Sequence, residues 1–245
     1  MPRRPRDLTV RSVSEFSTLF EPKGELYNTR LLWYRGEDRL RPSGALLPSI
    51  ARRPSRLRDE WAIYQRFRQN AAAFVPHTSL TPWDWMLYMR HYGQHTRLLD
   101  WSESALVALY FAVERADRSP GVVWCLDPLR LNELAGHGAR VHCAGIDTEL
   151  DQYTTEAVKL SSAKADFKPV ALIAPRSFPR LVAQQGVFTV THRTRTALDQ
   201  IPDATLLRRI RIPASAKPSM RDSLKTLGMG RLSLYPELQS LTGAD

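Results

Sequence analysis

The sequence predicts an α+β fold in a single domain, with a helix-rich N-terminal half packed on a mostly antiparallel sheet. Three observations predict it. Apolar residues recur at helical spacing over residues 58–74, 81–89 and 105–114. Apolar runs of strand length gather later, at 121–126, 171–174, 186–190 and 210–212. The 245 residues suit one large domain or two small ones and contain no internal repeat or low-complexity tract.

In chain order, residues 1–12 read as a basic arm and 13–245 as the domain. Ser14 is placed to cap a first helix carrying Phe16 and Phe20. The run Leu31-Leu-Trp-Tyr-Arg-Gly36 predicts a buried strand ending at a glycine. Pro42, Pro48 and Pro54 then constrain a loop anchored by Ile50. Trp61, Tyr64, Phe67 and Ala71 define the next helix. Thr81 caps its successor and Pro82 occupies its first position. Residues 105–114 form a clean apolar helix. Pro120 and Pro128 bound the strand at 121–126, and residues 147–168 fit helix or ordered loop equally. Residues 206–212 fit a partly exposed strand. A short helix at 221–227 is closed by Gly228, and residues 232–241 return to the body.

Composition excludes several classes. Charged residues are 24% and apolar residues 43%, ordinary for a folded protein. No apolar run is long enough to span a membrane, and no apolar stretch follows the basic N-terminus as a secretory signal requires. Cys125 and Cys143 match neither a disulfide framework nor a metal knuckle, so a cytoplasmic protein is expected. Lys and Arg number 35 against 25 Asp and Glu, a formal charge of +10. Arginine dominates, which favours polyanions such as nucleic acid or a pyrophosphate, though a solvated basic surface has the same composition.

The chemistry concentrates in His91-Tyr-Gly-Gln-His-Thr-Arg-Leu-Leu-Asp-Trp-Ser102, directly ahead of the apolar helix. His91, Thr96, Arg97, Asp100, Trp101 and Ser102 supply the groups of a polar site, with Arg97 and Asp100 expected to pair and fix the loop. His91 and His95 have chelating spacing, but Gly93 lies between them and no third ligand follows, so no metal is assigned. Ser102 lacks the nucleophile elbow of a hydrolase, and neither a Walker loop nor a dinucleotide glycine motif is present. Tyr34-Arg35-Gly36 ends a strand, where an arginine beside glycine meets an anion with little backbone obstruction. Glu60 begins its helix as a dipole-complementing carboxylate. Gln184 and Gln185 precede the Gly186 strand, where a carboxamide both donates and accepts.

Taken in order, these pieces resemble the FRG domain family. The resemblance rests on Tyr34-Arg35-Gly36, Leu47-Pro-Ser-Ile50, Glu60 and His91-Tyr-Gly93. It continues through Thr96-Arg-Leu-Leu-Asp-Trp-Ser102, Ala108-Leu-Tyr-Phe-Ala112, Gln185-Gly186 with Phe188, and Leu227-Gly228 with Leu234-Tyr-Pro-Glu-Leu238. It covers roughly residues 10–240. Arg90 stands where the family usually has glutamine, and Gln94-His95 replaces an apolar residue and proline, which adds polarity beside the site.

The aromatic-Arg-Gly strand end and the serine step into a Phe-Ala helix also resemble arginine-class ADP-ribosyltransferases. That resemblance implies their fold, NAD as substrate, Arg35 as phosphate anchor with Tyr34 and Gly36 beside it, and Ser102 as ribose contact. It has no clear counterpart of the late Glu-x-Glu motif. Gln185 takes that place in the order, and Glu60 or Asp100 is left to supply the carboxylate. The implied activity is modification of a macromolecule, nucleic acid among the candidates, by a bacterial toxin or phage-defence effector. An antitoxin or regulatory protein is the expected partner, and no membrane is. The alternative is a non-catalytic nucleotide- or RNA-binding module. Either way, Arg35, His91, Ser102 and Gln185 are expected to share one pocket.

Overall fold

Strand-forming runs meet in one mixed sheet because each has apolar surface to bury, β4 and β7 along their whole length. The computed structural model describes residues 7–27, 30–41, 43–75, 80–161, 166–193 and 195–237. The chain begins with β1 (Leu8–Thr9), α1 (Val13–Thr18) and β2 (Trp33–Glu37). Helices α2 (Pro54–Arg58), α3 (Glu60–Ala71) and α4 (Pro82–His91) lead to β3 (Leu98–Ser102) and α5 (Ala105–Val113). Then come β4 (Gly121–Leu126), α6 (Pro128–Ala135), β5 (His142–Cys143), α7 (Thr155–Leu160) and β6 (Val170–Ile173). The chain continues through α8 (Pro179–Ala183), β7 (Gly186–Val190), β8 (Leu207–Ile212), α9 (Lys217–Thr226) and α10 (Arg231–Leu234).

The eight strands lie in the order β1-β8-β4-β2-β3-β7-β6-β5. The two outermost pairs, β1 with β8 and β5 with β6, are parallel; the five inner pairs are antiparallel. The α+β class and the mostly antiparallel sheet therefore hold. The expected division of helices does not, since α6 to α10 occupy the C-terminal half.

On one face, α5 packs over β2 and β4 with Val107, Ala108, Ala112, Val123 and Ile210 in its core. A neighbouring cluster joins Trp83, Met86 and Leu87 of α4 to Leu98, Leu172 and Phe188. The opposite face is buried by Trp33, Leu99, Trp101, Trp124 and Leu131.

Local differences from the sequence reading have local causes. Ser12, not Ser14, caps α1, its side chain accepting from the Glu15 amide at 3.0 Å. The helix predicted at 58–74 is α3, and a separate short helix, α2, precedes it because Asp59 leaves helical geometry at φ −88°, ψ 0°. The ambiguous region after residue 147 forms a tight helical turn over Thr148–Tyr153 and then α7. Helix α9 begins at Lys217, earlier than predicted, with proline in its first turn. Leu8 and Thr9, inside the expected arm, pair with β8; residues 1–6 and 238–241 lie outside the described residues. Both cysteines are free thiols. Among the described residues no helix is long and apolar enough to cross a membrane.

Candidate functional site

Half of the polar run is a strand. Leu98, Asp100 and Ser102 point to one face of the sheet and Leu99 and Trp101 to the other, the period of two that β structure imposes. On the first face α4 covers β3 while α5 covers β2. The two strands meet at a single register pair, Tyr34 with Ser102, and then part. Over this seam lies a cavity of about 300 Å³.

Each element contributes to its wall. Strand β2 gives Tyr34, Arg35 and Gly36, and β3 gives Asp100, Trp101 and Ser102. Helix α4 supplies Leu87, Arg90 and His91; α5 supplies Val107, Ala108 and Phe111. Arg180, Leu181 and Gln184 close it from the α8 side, with Phe188 of β7. Gly36 serves packing: a β-carbon there would lie 1.8 Å from the Ala108 carbonyl oxygen, so only glycine lets α5 settle on β2.

Arg35 bridges the seam. Its Nη1 donates to the Asp100 carbonyl at 2.7 Å, in place of strand pairing, and lies 4.0 Å from the Asp100 carboxylate. Its Nε sits 3.5 Å from Glu37 Oε1. Arg90 grips Asp100 from α4, Nε lying 2.9 and 3.0 Å from the two carboxylate oxygens, with a further bond from Nη2. Burial pushes the Asp100 carboxyl up, but Arg90, Arg35 and Arg180 outweigh it and hold the group below the usual carboxylate range. Arg180 lies 4.7 Å over the Tyr235 ring, and among the described residues no carboxylate forms an ion pair with it. Three guanidinium groups thus face one carboxylate in the cavity wall.

His91 ends α4 and stacks on Phe178 at 4.1 Å. Burial, with Arg180 nearby, lowers its pKa against the opposing pull of Glu237, so the imidazole is neutral at pH 7. Its Nε2 lies 3.9 Å from Glu237 Oε1, a buried oxygen without a hydrogen-bond partner. His95 departs from it: Gly93 adopts φ 78°, the helix stops, and His95 Nδ1 bonds Ser49 Oγ at 2.9 Å. The chelating spacing of the two histidines is therefore not realised as a helical pair.

Ser102 Oγ donates to the Gln184 carbonyl at 2.7 Å and accepts from the Ser104 amide at 2.9 Å. It ties β3 to the end of α8 at the cavity floor. Trp101 Nε1 donates to Thr189 Oγ1 at 3.1 Å.

Four expected site residues lie off the cavity. The expected Arg97–Asp100 pair does not form, because residues three apart on a strand face opposite ways. Arg97 is fully buried and its Nε donates to Glu60 Oε1 at 2.8 Å. Thr155 Oγ1 donates to the same oxygen at 3.1 Å. Glu60 is thus a buried counter-ion rather than a dipole-complementing surface group. Thr96 is buried and accepts from the Leu98 amide at 3.3 Å. Gln185 is exposed, in left-handed backbone at φ 47°, and its neighbour Gln184 reaches the cavity instead.

Sequence reasoning missed Arg180 and Phe188 as cavity residues, did not separate Gln184 from Gln185, and treated Arg90 only as a departure. Arg90 and Arg180 lie 90 positions apart, so no local motif marks them as a pair. Of the three larger clefts, the two largest are less suited to polar chemistry. One of about 800 Å³, lined by Ile63, Phe67, Phe74 and Val75, carries the single guanidinium of Arg66. In the other, of about 590 Å³, Arg130 is neutralised by Asp203 at 2.8 Å.

No curated protein and no solved structure matches the chain. The family model of the FRG domain matches residues 30–120, a stretch holding β2, α4, β3 and α5 and so most of the cavity wall, while Arg180, Gln184 and Phe188 lie beyond it. Over residues 30–120 the chain is therefore similar to the FRG domain.

Proposed function

We propose that the cavity binds the phosphate-bearing part of a nucleotide, and that the protein is an ADP-ribosyltransferase-like enzyme using NAD to modify a macromolecule, nucleic acid among the candidates. One observation carries this reading: Arg35, Arg90 and Arg180 face the single carboxylate of Asp100 in a cavity with aromatic walls. Guanidinium forks match phosphate oxygens two at a time, and Tyr34, Phe111 and Phe188 offer apolar surface to a flat ring. An arriving phosphate competes with Asp100 for Arg90 and Arg35. Asp100 is then released as the negative neighbour that an oxocarbenium-like transition state requires. In a bacterial cell such an activity suits a toxin or phage-defence effector restrained by an antitoxin or regulatory protein.

Incubation with labelled NAD tests it. Wild type should release nicotinamide, and Arg35→Ala and Asp100→Asn should release only background. Equal background from all three removes the enzymatic claim.

The second reading, a non-catalytic nucleotide- or RNA-binding module, is favoured by how fully the site's groups are engaged. Asp100 is held by two arginines, and the Ser102 hydroxyl is spent on two backbone partners. It predicts binding that falls steeply with salt, no nicotinamide release, and affinity unchanged in Ser102→Ala. Neutralising Arg53, Arg56 and Arg58 together should weaken RNA binding. Arg52 is left intact because it bonds the Leu47 and Ala45 carbonyls at 3.0 and 2.9 Å.

A further inference from the structure

At the far edge of the sheet, four places from β2 in the strand order, His142 opens β5. His137 precedes it on the loop leaving α6, and Glu149 follows on the tight turn over Thr148–Tyr153. One ligand atom from each of the three lies within 4.8 Å of the others. His137 Nδ1 and His142 Nδ1 are 3.9 and 4.0 Å from Glu149 Oε2, and Asp147 Oδ2 is 3.8 Å from His142 Nδ1.

His142 decides what this cluster is. Its side chain is wholly buried, and its Nε2 lies 3.2 Å from the His137 carbonyl, an acceptor only. The ring proton therefore sits on Nε2, and Nδ1 presents a lone pair. That Nδ1 is buried without a hydrogen-bond partner, and the polar atoms facing it are carboxylate oxygens, lone pairs in their turn. Asp147 Oδ2 also accepts from the Cys143 amide at 2.6 Å, and the lone pairs left converging on one point are stabilised by a cation there. An imidazole with one nitrogen donating to a carbonyl and the other turned inward is also the usual posture of a metal-bound histidine.

We propose that His137, His142 and Glu149 bind a zinc-type divalent ion, with Asp147 as the fourth ligand. Two imidazoles and carboxylates suit such an ion, whereas calcium and magnesium favour all-oxygen shells. Metal–ligand bonds of about 2.0–2.2 Å in a tetrahedron put ligand atoms roughly 3.4 Å apart, so the imidazole–carboxylate separations close by about half an ångström on binding and the widest separation in the cluster by more. The competing cation is Arg140, whose Nη2 lies 2.9 and 3.0 Å from the Glu149 oxygens. Its side chain is 58% exposed and can turn to solvent. The ion would pin the α6–β5 loop to the turn after β5 and is independent of the nucleotide cavity.

The test uses untagged full-length protein stripped with chelator and titrated with cobalt(II) and with zinc(II). One equivalent should bind. Cobalt should give the intense visible absorption of a four-coordinate site, and zinc should raise the melting temperature in a chelator-reversible way. Since losing only a supporting group costs roughly 10–100-fold in metal affinity, His137→Gln and Glu149→Gln should each cost at least about tenfold. Both remove side chains from the rim rather than the core, and circular dichroism verifies their folding. The proposal is overturned if wild type takes up neither ion, as it would were His142 an imidazolium paired with the two carboxylates. It is equally overturned if both variants bind like wild type, or if only His91→Gln abolishes uptake.

Discussion

Two arginine–carboxylate pairs flank β3 within a few residues of each other. Arg97 meets Glu60 inside the core, with side-chain exposures of 0% and 9%. Arg90 meets Asp100 at the cavity, with exposures of 28% and 41%. The sealed pair is enclosed by its surroundings: Glu60 accepts from Thr155, Arg97 Nη1 reaches the His192 carbonyl at 3.4 Å, and Arg97 Nη2 is buried without a hydrogen-bond partner. It joins α3 and α7 to the start of β3 and lies off the cavity. The open pair sits among surplus cations, Arg35 and Arg180, so its balance changes when an anion enters. The same chemistry becomes scaffold or site according to what surrounds it.

The largest expected effect breaks the sealed pair. Glu60→Gln leaves a buried guanidinium without its counter-charge and should lower unfolding free energy by about 3–5 kcal/mol, measured by urea denaturation. The double variant Glu60→Leu with Arg97→Met should recover most of that loss, because two apolar side chains leave no charge buried. Nucleotide affinity of the folded protein should be unchanged throughout. A loss in Glu60→Gln below about 1 kcal/mol, the range of an exposed pair, would show that the two pairs do not differ as described.

This contrast was only half legible in the sequence. Strands β4 and β7 announce themselves as continuous apolar runs, and Thr81-Pro82 announces the start of α4, which closes a capping box with Asp84. Strand β3 is hidden because its cavity face carries Asp100 and Ser102. Recognising Leu98, Leu99 and Trp101 as strand residues would have separated Arg97 from Asp100 by face alone. The true partners are set by tertiary register. Glu60 lies 37 positions before Arg97, and Arg180 reaches the cavity only because α8 packs ahead of β7. The aromatic-Arg-Gly motif was read for an anion site, yet its glycine answers to helix packing. Only the arginine and tyrosine of the motif are free to serve a ligand.

A smaller effect is expected at the open pair. Arg90→Gln removes one of the three cavity cations. Affinity for ADP, measured by calorimetry, should fall about tenfold, the worth of one charge-assisted hydrogen bond at its lower bound. Stability should change by less than about 1 kcal/mol, because the pair is open to the cavity. The opposite outcome, lost stability with intact affinity, would make Arg90 a second scaffold arginine and erase the distinction from Arg97.

The smallest effect is a pH dependence, and it comes from His91 rather than from either carboxylate. Asp100 is held below the ordinary carboxylate range, so it keeps its charge through the neutral and mildly acidic region. His91 has its pKa lowered by burial, below the roughly 6.5 of a free imidazole. A folded pKa below the unfolded one means that the unfolded chain binds the proton more readily. The stability contribution is therefore complete above about pH 6.5 and is lost as pH falls through the folded value. A bound anion acts in the opposite sense, since it favours the imidazolium beside Arg180. ADP affinity should accordingly rise by a few-fold between about pH 7.5 and 5.5, where imidazole titrates. Phosphate titrates in the same range, so the informative quantity is the difference between wild type and His91→Gln. The variant should keep the ligand's own pH response and lose the remainder. Identical profiles would mean that the His91 ring, stacked on Phe178, shapes the cavity without taking part in its charge.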